Sequence, residues 1–190
     1  MFNQIEKFKA KAGVLKAAAF LALFLLALYI INGEAVGVGR LVRMTGGAGI
    51  LDLQNGYSVN RAYEILSGLG PAGRAYYLRA ILPMDFIFPL TYTLFYLSTM
   101  LWILKATPAL NKWMNLIVFV PLLTVLFDYA ENIMIINMLV SFPQQLTLTA
   151  KAANVFTMLK FNFVSLNAAI IVAMAANCLI KKYFKSPDRR

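Results

Sequence analysis

The sequence predicts an all-α, polytopic membrane protein, a four-transmembrane-helix bundle with a short amphipathic extracytoplasmic helix. Three observations carry this expectation. Hydrophobic residues make up 61% of the chain and its mean hydropathy is +0.69, whereas soluble domains run nearer ~50% apolar. Only 14% of the residues are charged, with 18 Lys plus Arg against 8 Asp plus Glu. Four stretches, 14–31, 82–104, 114–140 and 155–180, are apolar over about the ~20 residues a helix needs to cross a ~30 Å hydrocarbon layer. Disordered, disulfide-rich and collagenous chains need compositions that this one lacks. Open strands are excluded because unpaired backbone groups cannot face lipid, and no alternating ten-residue repeats point to a barrel. The 190 residues are expected to form a single membrane domain.

The first stretch has Lys16 near its start, where a long side chain can snorkel to the headgroups. A basic start and apolar centre resemble a signal peptide. Asn32, Gly33 and Glu34 follow without an A-x-A site, so a retained helix is expected. Residues 32–81 then form the only sizeable aqueous segment. Gly37-Val38-Gly39 and Gly46-Gly47 lack the βαβ surroundings of a dinucleotide fingerprint and are read as turns and close backbone approaches. Ser58 is placed to cap a helix in which Ala62, Ile65, Leu66 and Leu69 share one face. Gly68 or Gly70 ends it, and Pro71 opens another helix running past Arg74, Tyr76 and Tyr77 to the membrane boundary. The first of these is expected to lie across the external mouth of the bundle, as an interfacial anchor or a lid. Pro83, Pro89 and Pro121 each remove a backbone donor and are expected to kink the second and third spans. In the fourth, Ala168, Ala169, Ala173, Ala175 and Ala176 permit close approach of another helix, either from a partner or the chain's own first span with Ala17, Ala18 and Ala19.

Orientation follows from the cations. Lys7, Lys9, Lys11, Lys16, Lys105, Lys112, Lys181, Lys182, Lys185, Arg189 and Arg190 flank one side. Arg40, Arg43, Arg61, Arg74, Arg79 and Lys151 are spread thinly over the other. The positive-inside rule then makes the protein an integral, multi-pass membrane protein with both termini cytoplasmic. The same arrangement explains the formal charge of +10 without nucleic acid, which is not an expected partner.

Zero histidines and one cysteine remove the usual zinc, haem and iron–sulfur sites, as well as His-assisted nucleophilic catalysis. No cofactor and no metal is expected, since Lys160 would compete for the oxygens of a carboxylate magnesium site. Cys178 is read as a small buried apolar thiol rather than a palmitoylation site.

The informative residues are ionisable groups inside the spans: Asp85, Asp128, Glu131 and Lys160. Charge in a bilayer is costly unless paired, protonated or wet, which makes such residues a functional-site hypothesis. At ~1.5 Å rise per residue all four lie about 6–18 Å below the outer boundary. Asp128, Glu131 and Asn132 share a face with Thr124; Asp85, Pro89, Tyr92, Tyr96 and Thr99 share another; Lys160 and Asn167 share a third. Phe86, Ile87, Phe88, Ile133, Met134 and Ile135 are expected to point outward. Two carboxyls one turn apart do not both ionise easily, so at least one of Asp128 and Glu131 is expected to be protonated or paired with Lys160, and the remaining negative charge is left to protons, a cationic ligand, a hydroxylated amphiphile, or Arg74 or Arg79 from the loop.

The candidate ligand-binding set is therefore Asp85, Tyr92, Asp128, Glu131, Asn132, Lys160 and Asn167, lining an outward-facing carboxylate/lysine pocket for an amphiphilic or cationic small molecule. Two other classes stay open. One is a noncatalytic accessory subunit whose polar cluster is interhelical glue. The other is a lipid-modifying enzyme using the carboxyls as acid and base. Membrane lipid is an expected partner in every case, and a homo-oligomer or membrane-complex partner is left open. Under the pocket reading, Asp128→Asn and Lys160→Met are expected to alter ligand binding more than thermal stability.

Overall fold

The computed structural model describes residues 2–107 and 112–184. Among these the chain is helical, with no strand: α1 (Phe2–Lys11), α2 (Val14–Asn32), α3 (Val38–Met44), α4 (Val59–Gly68), α5 (Gly70–Tyr76), α6 (Leu82–Ala106), α7 (Val120–Ser141) and α8 (Thr147–Phe184). Four segments are long and apolar enough to cross a membrane: Val14–Asn32, Gly70–Ala106, Asn115–Ser141 and Thr147–Lys181. The protein is thus a multi-pass, all-α membrane protein. The cations Lys185, Arg189 and Arg190 used above for orientation lie outside the described residues.

Two spans start earlier than hydropathy suggests. The second begins at Gly70 rather than 82, because α5 runs through a π-helical turn, Tyr77–Ile81, straight into α6. Pro83 follows that turn. With no N–H for the carbonyl four residues back and a ring that crowds it, proline is accommodated by such local widening. The fourth begins at Thr147 rather than 155, since helicity continues past the end of the apolar stretch. Pro121 sits in the first turn of α7, where its missing donor costs nothing, so it starts that helix rather than kinking it; residues 112–119 before it form a 3₁₀ segment. Of the three prolines only Pro89 lies inside its helix.

α7 and α8 pack together most extensively, and α6 packs on both. α2 lies along α6 rather than along α8, with Phe24 against Phe88, Tyr92 and Phe95 at ring separations of 5.8, 6.3 and 6.1 Å. The small-residue approach of α2 to α8 is therefore replaced by an aromatic one to α6. Ala168, Ala169, Ala173 and Ala176 stay exposed.

The 33–69 connection is a packed cap. Ser58 Oγ accepts from the Arg61 N–H at 3.1 Å, starting α4 as its spacing predicts. Ala62, Tyr63, Ile65 and Leu66 are buried in one core with Leu41 and Leu51 from the cap and Ile135, Met138 and Ala153 from the bundle. The apolar face of α4 is thus spent on protein. This also corrects Ile135, expected to face lipid but fully buried beneath the cap. Asn154 of α8 accepts from the Tyr57 N–H at 2.6 Å, and the Tyr63 hydroxyl accepts from the Leu146 N–H at 2.6 Å. Gly70, at φ +61°, turns the chain from α4 into α5. Gly37 lets the cap pass against the end of α2, where a Cβ would overlap the carbonyls of Ile30 and Ile31. Gly37→Ala is expected to cost about 1–3 kcal/mol through this overlap, seen as a lowered melting temperature in detergent.

A second core joins Ile5, Met100, Ile103, Leu104, Val118 and Met174 at the opposite end, and half-buried Cys178 packs on it.

Candidate functional site

Pro89 organises the site. It has no N–H for the Asp85 carbonyl one turn earlier, and Asn132 Nδ2 from α7 donates to that oxygen at 3.3 Å. The same amide lies 3.5 Å from Asp128 Oδ1. Asp128 Oδ2 accepts from the Tyr92 hydroxyl at 2.9 Å. Asp85 and Asp128 are therefore tied to one asparagine across α6 and α7.

Lys160 and Glu131 form a direct ion pair, their side chains 9% and 0% exposed. Thr157, one turn before Lys160, donates to Glu131 Oε1 at 2.6 Å. Lys160 thus belongs first to Glu131 and only through space to the aspartates. Arg74 and Arg79, two of the candidates for the balancing charge, are engaged elsewhere or exposed. Arg74 donates to the Leu66 carbonyl at 2.9 Å and stacks on Phe142, and Arg79 is exposed.

Asp52, absent from the sequence-based set, enters from the cap. It is buried, and its Oδ2 accepts from the Tyr77 hydroxyl. Burial pushes its carboxyl above the usual value, against the opposing pull of the Lys160 charge and the Tyr77 hydrogen bond. Nothing periodic marks it. Apolar flanks do not single it out either: Asp52 lies between Leu51 and Leu53, but exposed Glu64 lies between Tyr63 and Ile65 in the same way.

Between these groups lies a cavity of about 230 Å³. Asp52, Asp85, Asp128 and Lys160 line it with the rings of Phe24, Phe88, Tyr92, Tyr96 and Phe161. Four of the seven sequence-predicted residues, Asp85, Tyr92, Asp128 and Lys160, reach this space. Glu131 and Asn132 brace it from behind. Asn167 does not join them: its amide donates to Thr124 Oγ1 at 2.9 Å and to the Phe163 carbonyl at 2.8 Å, linking α7 to α8 elsewhere. Asp52 Oδ1 and Asp85 Oδ2 are buried with no hydrogen-bond partner in the protein, as are Asn132 Oδ1 and Asn167 Oδ1, while Glu131 Oε2 has only its ion pair with Lys160. Among the described residues no three Asp, Glu, Cys or His side chains converge to hold a metal ion.

Fold and site together define a class: a multi-pass helical membrane protein with an acid-lined, aromatic-walled cavity among its spans. No family model, no curated protein and no solved structure matches the chain.

Proposed function

We propose that this protein binds an amphiphilic organic cation, an ammonium on a ring-sized apolar body, in the cavity formed by α2, α6, α7, α8 and the cap. Its termini would be cytoplasmic and the cavity would face outward. One observation carries this reading: Asp52 and Asp85 each hold a buried oxygen without a protein donor, on a cavity where three aspartates meet a single lysine already paired with Glu131. An orphaned buried acceptor costs about 1–3 kcal/mol. An N–H donor on a cation would satisfy both its hydrogen bonding and its charge. The surrounding rings supply apolar and cation–π contact. Buried oxygens without a donor also occur at Tyr57, Thr99, Asn132 and Asn167, away from the cavity lining; Asp52 and Asp85 differ from them in being acids that line the cavity. Because α2 is largely exposed apart from its α6 contact, an amphiphile could reach the cavity past Phe24 and Leu28 from the lipid side.

The test is equilibrium binding of phenylbutylamine to the full chain in nanodiscs as a function of pH. A bound ammonium favours ionised carboxylates, so affinity should rise as pH climbs from the ordinary Asp value of 3.8 through the raised value of Asp52. Without ligand the sign reverses. The unfolded chain ionises Asp52 earlier than the folded one, so its contribution to stability is greatest below 3.8 and is lost as pH rises through the folded value. Asp52→Asn should flatten both trends. Affinity independent of pH across this range would count against the reading.

A further inference from the structure

The opposite end of the bundle holds a larger cavity of about 630 Å³, between α1, the start of α2, the end of α6 and the approach to α7. It is independent of the aspartate cavity in both position and chemistry. Ile5, Phe8, Phe20, Leu97, Leu101 and Phe119 form its walls, and among the described residues no acidic side chain lines it. Lys11 and Lys16 stand at its rim. Their placement is built in: Lys16 Nζ donates to the Lys11 carbonyl at 2.8 Å, and Lys105 Nζ clamps the α1–α2 joint through the carbonyls of Ala10 and Ala12 at 2.8 and 3.0 Å. Lys16 keeps two further donors free of that bond.

We propose that this cavity is a binding site for an anionic phospholipid, one acyl chain lying in the groove and the phosphate held between Lys11 and Lys16. Charge selects the occupant, since two cations, Lys11 and Lys16, border an apolar space that no acidic side chain lines among the described residues. Position agrees. The rim lies where α2 enters its apolar stretch, the level at which lipid phosphates sit. The wall along α6 from Leu101 to Leu94 then descends about 10 Å at ~1.5 Å per residue, enough to accept the upper part of a chain.

The experiment is native mass spectrometry of the full chain, equilibrated in detergent with equal amounts of phosphatidylglycerol and phosphatidylcholine bearing the same acyl chains. Wild type should retain phosphatidylglycerol about tenfold or more over phosphatidylcholine, as two lysines near a lipid phosphate warrant. The double variant K11Q/K16Q should lose the preference while keeping its melting temperature. Leu97→Trp, which fills the wall, should lose both lipids, and where it fails to fold the charge variant still decides. Equal retention of the two lipids by wild type overturns the proposal, as does a preference that survives K11Q/K16Q. Displacement of bound phosphatidylglycerol by millimolar inorganic phosphate would overturn it in favour of a simple anion site. A lipid-free dimer that Leu97→Trp converts to monomer would give the groove to a second copy of the chain and overturn it equally.

Discussion

Lys160→Met is expected to cost about 3–5 kcal/mol, the usual effect of stripping one partner from a buried ion pair. The ammonium contacts Glu131 where both side chains are buried, and Thr157 already donates to the other carboxylate oxygen. Methionine would leave Glu131 to be protonated or to stand uncompensated among α7 and α8. For a chain of this length each kcal/mol lowers the melting temperature by about 2–4 °C, so thermal unfolding in detergent should show a fall on the order of 10 °C. K160M/E131Q should recover most of that loss, because both charges then leave together. This differs from what spacing alone suggests, that Lys160 serves mainly a ligand. A single variant with an unchanged melting temperature would show that the pair does not hold the helices.

Asp85→Asn should behave in the opposite way. Asp85 Oδ2 has no protein donor, and its neighbour Asn132 is bound through the Asp85 backbone carbonyl, which the substitution leaves in place. Little stability should change. Binding of phenylbutylamine should weaken at least thirtyfold, since truncating one member of a desolvated charge pair costs about 2–5 kcal/mol. Asp128→Asn should weaken binding too, but with some loss of stability, because Tyr92 and Asn132 both lean on that carboxylate. Titrations of the three proteins, paired with their unfolding curves, separate these effects. Equal stability losses with no change in affinity would return the cluster to interhelical glue.

The contrast between these two residues shows how far a sequence reaches. Three polar stripes were legible because helical spacing is local: Asp85 with Tyr92, Asp128 with Asn132, and Lys160 all turn inward as their offsets require. Which acid takes the lysine is a matter of helix rotation and of Thr157, and no spacing encodes it. Asp52 was hidden for a different reason. It lies in the cap, outside any apolar stretch, and acquires its meaning only when Tyr77, 25 residues on, closes over it. The cap also explains Ile135, because a residue judged by its helix face alone ignores what folds back over the helix end. Span limits slipped where helices outlast their hydrophobicity, at Gly70 and Thr147, since hydropathy reports where lipid is tolerated and not where hydrogen bonding stops. Ser58, Pro71 and the apolar face of α4 were legible because caps and amphipathic faces are written within one or two turns.

The central claim, that the aspartate cavity is built for a cation, is tested most directly by comparing phenylbutylamine with phenylbutanol in nanodiscs at neutral pH. The two share an apolar body and a hydrogen-bond donor and differ in charge. The account predicts that the ammonium binds at least tenfold more tightly to wild type and that Asp85→Asn erases most of the difference. Equal affinities for amine and alcohol, unchanged by Asp85→Asn, would contradict it.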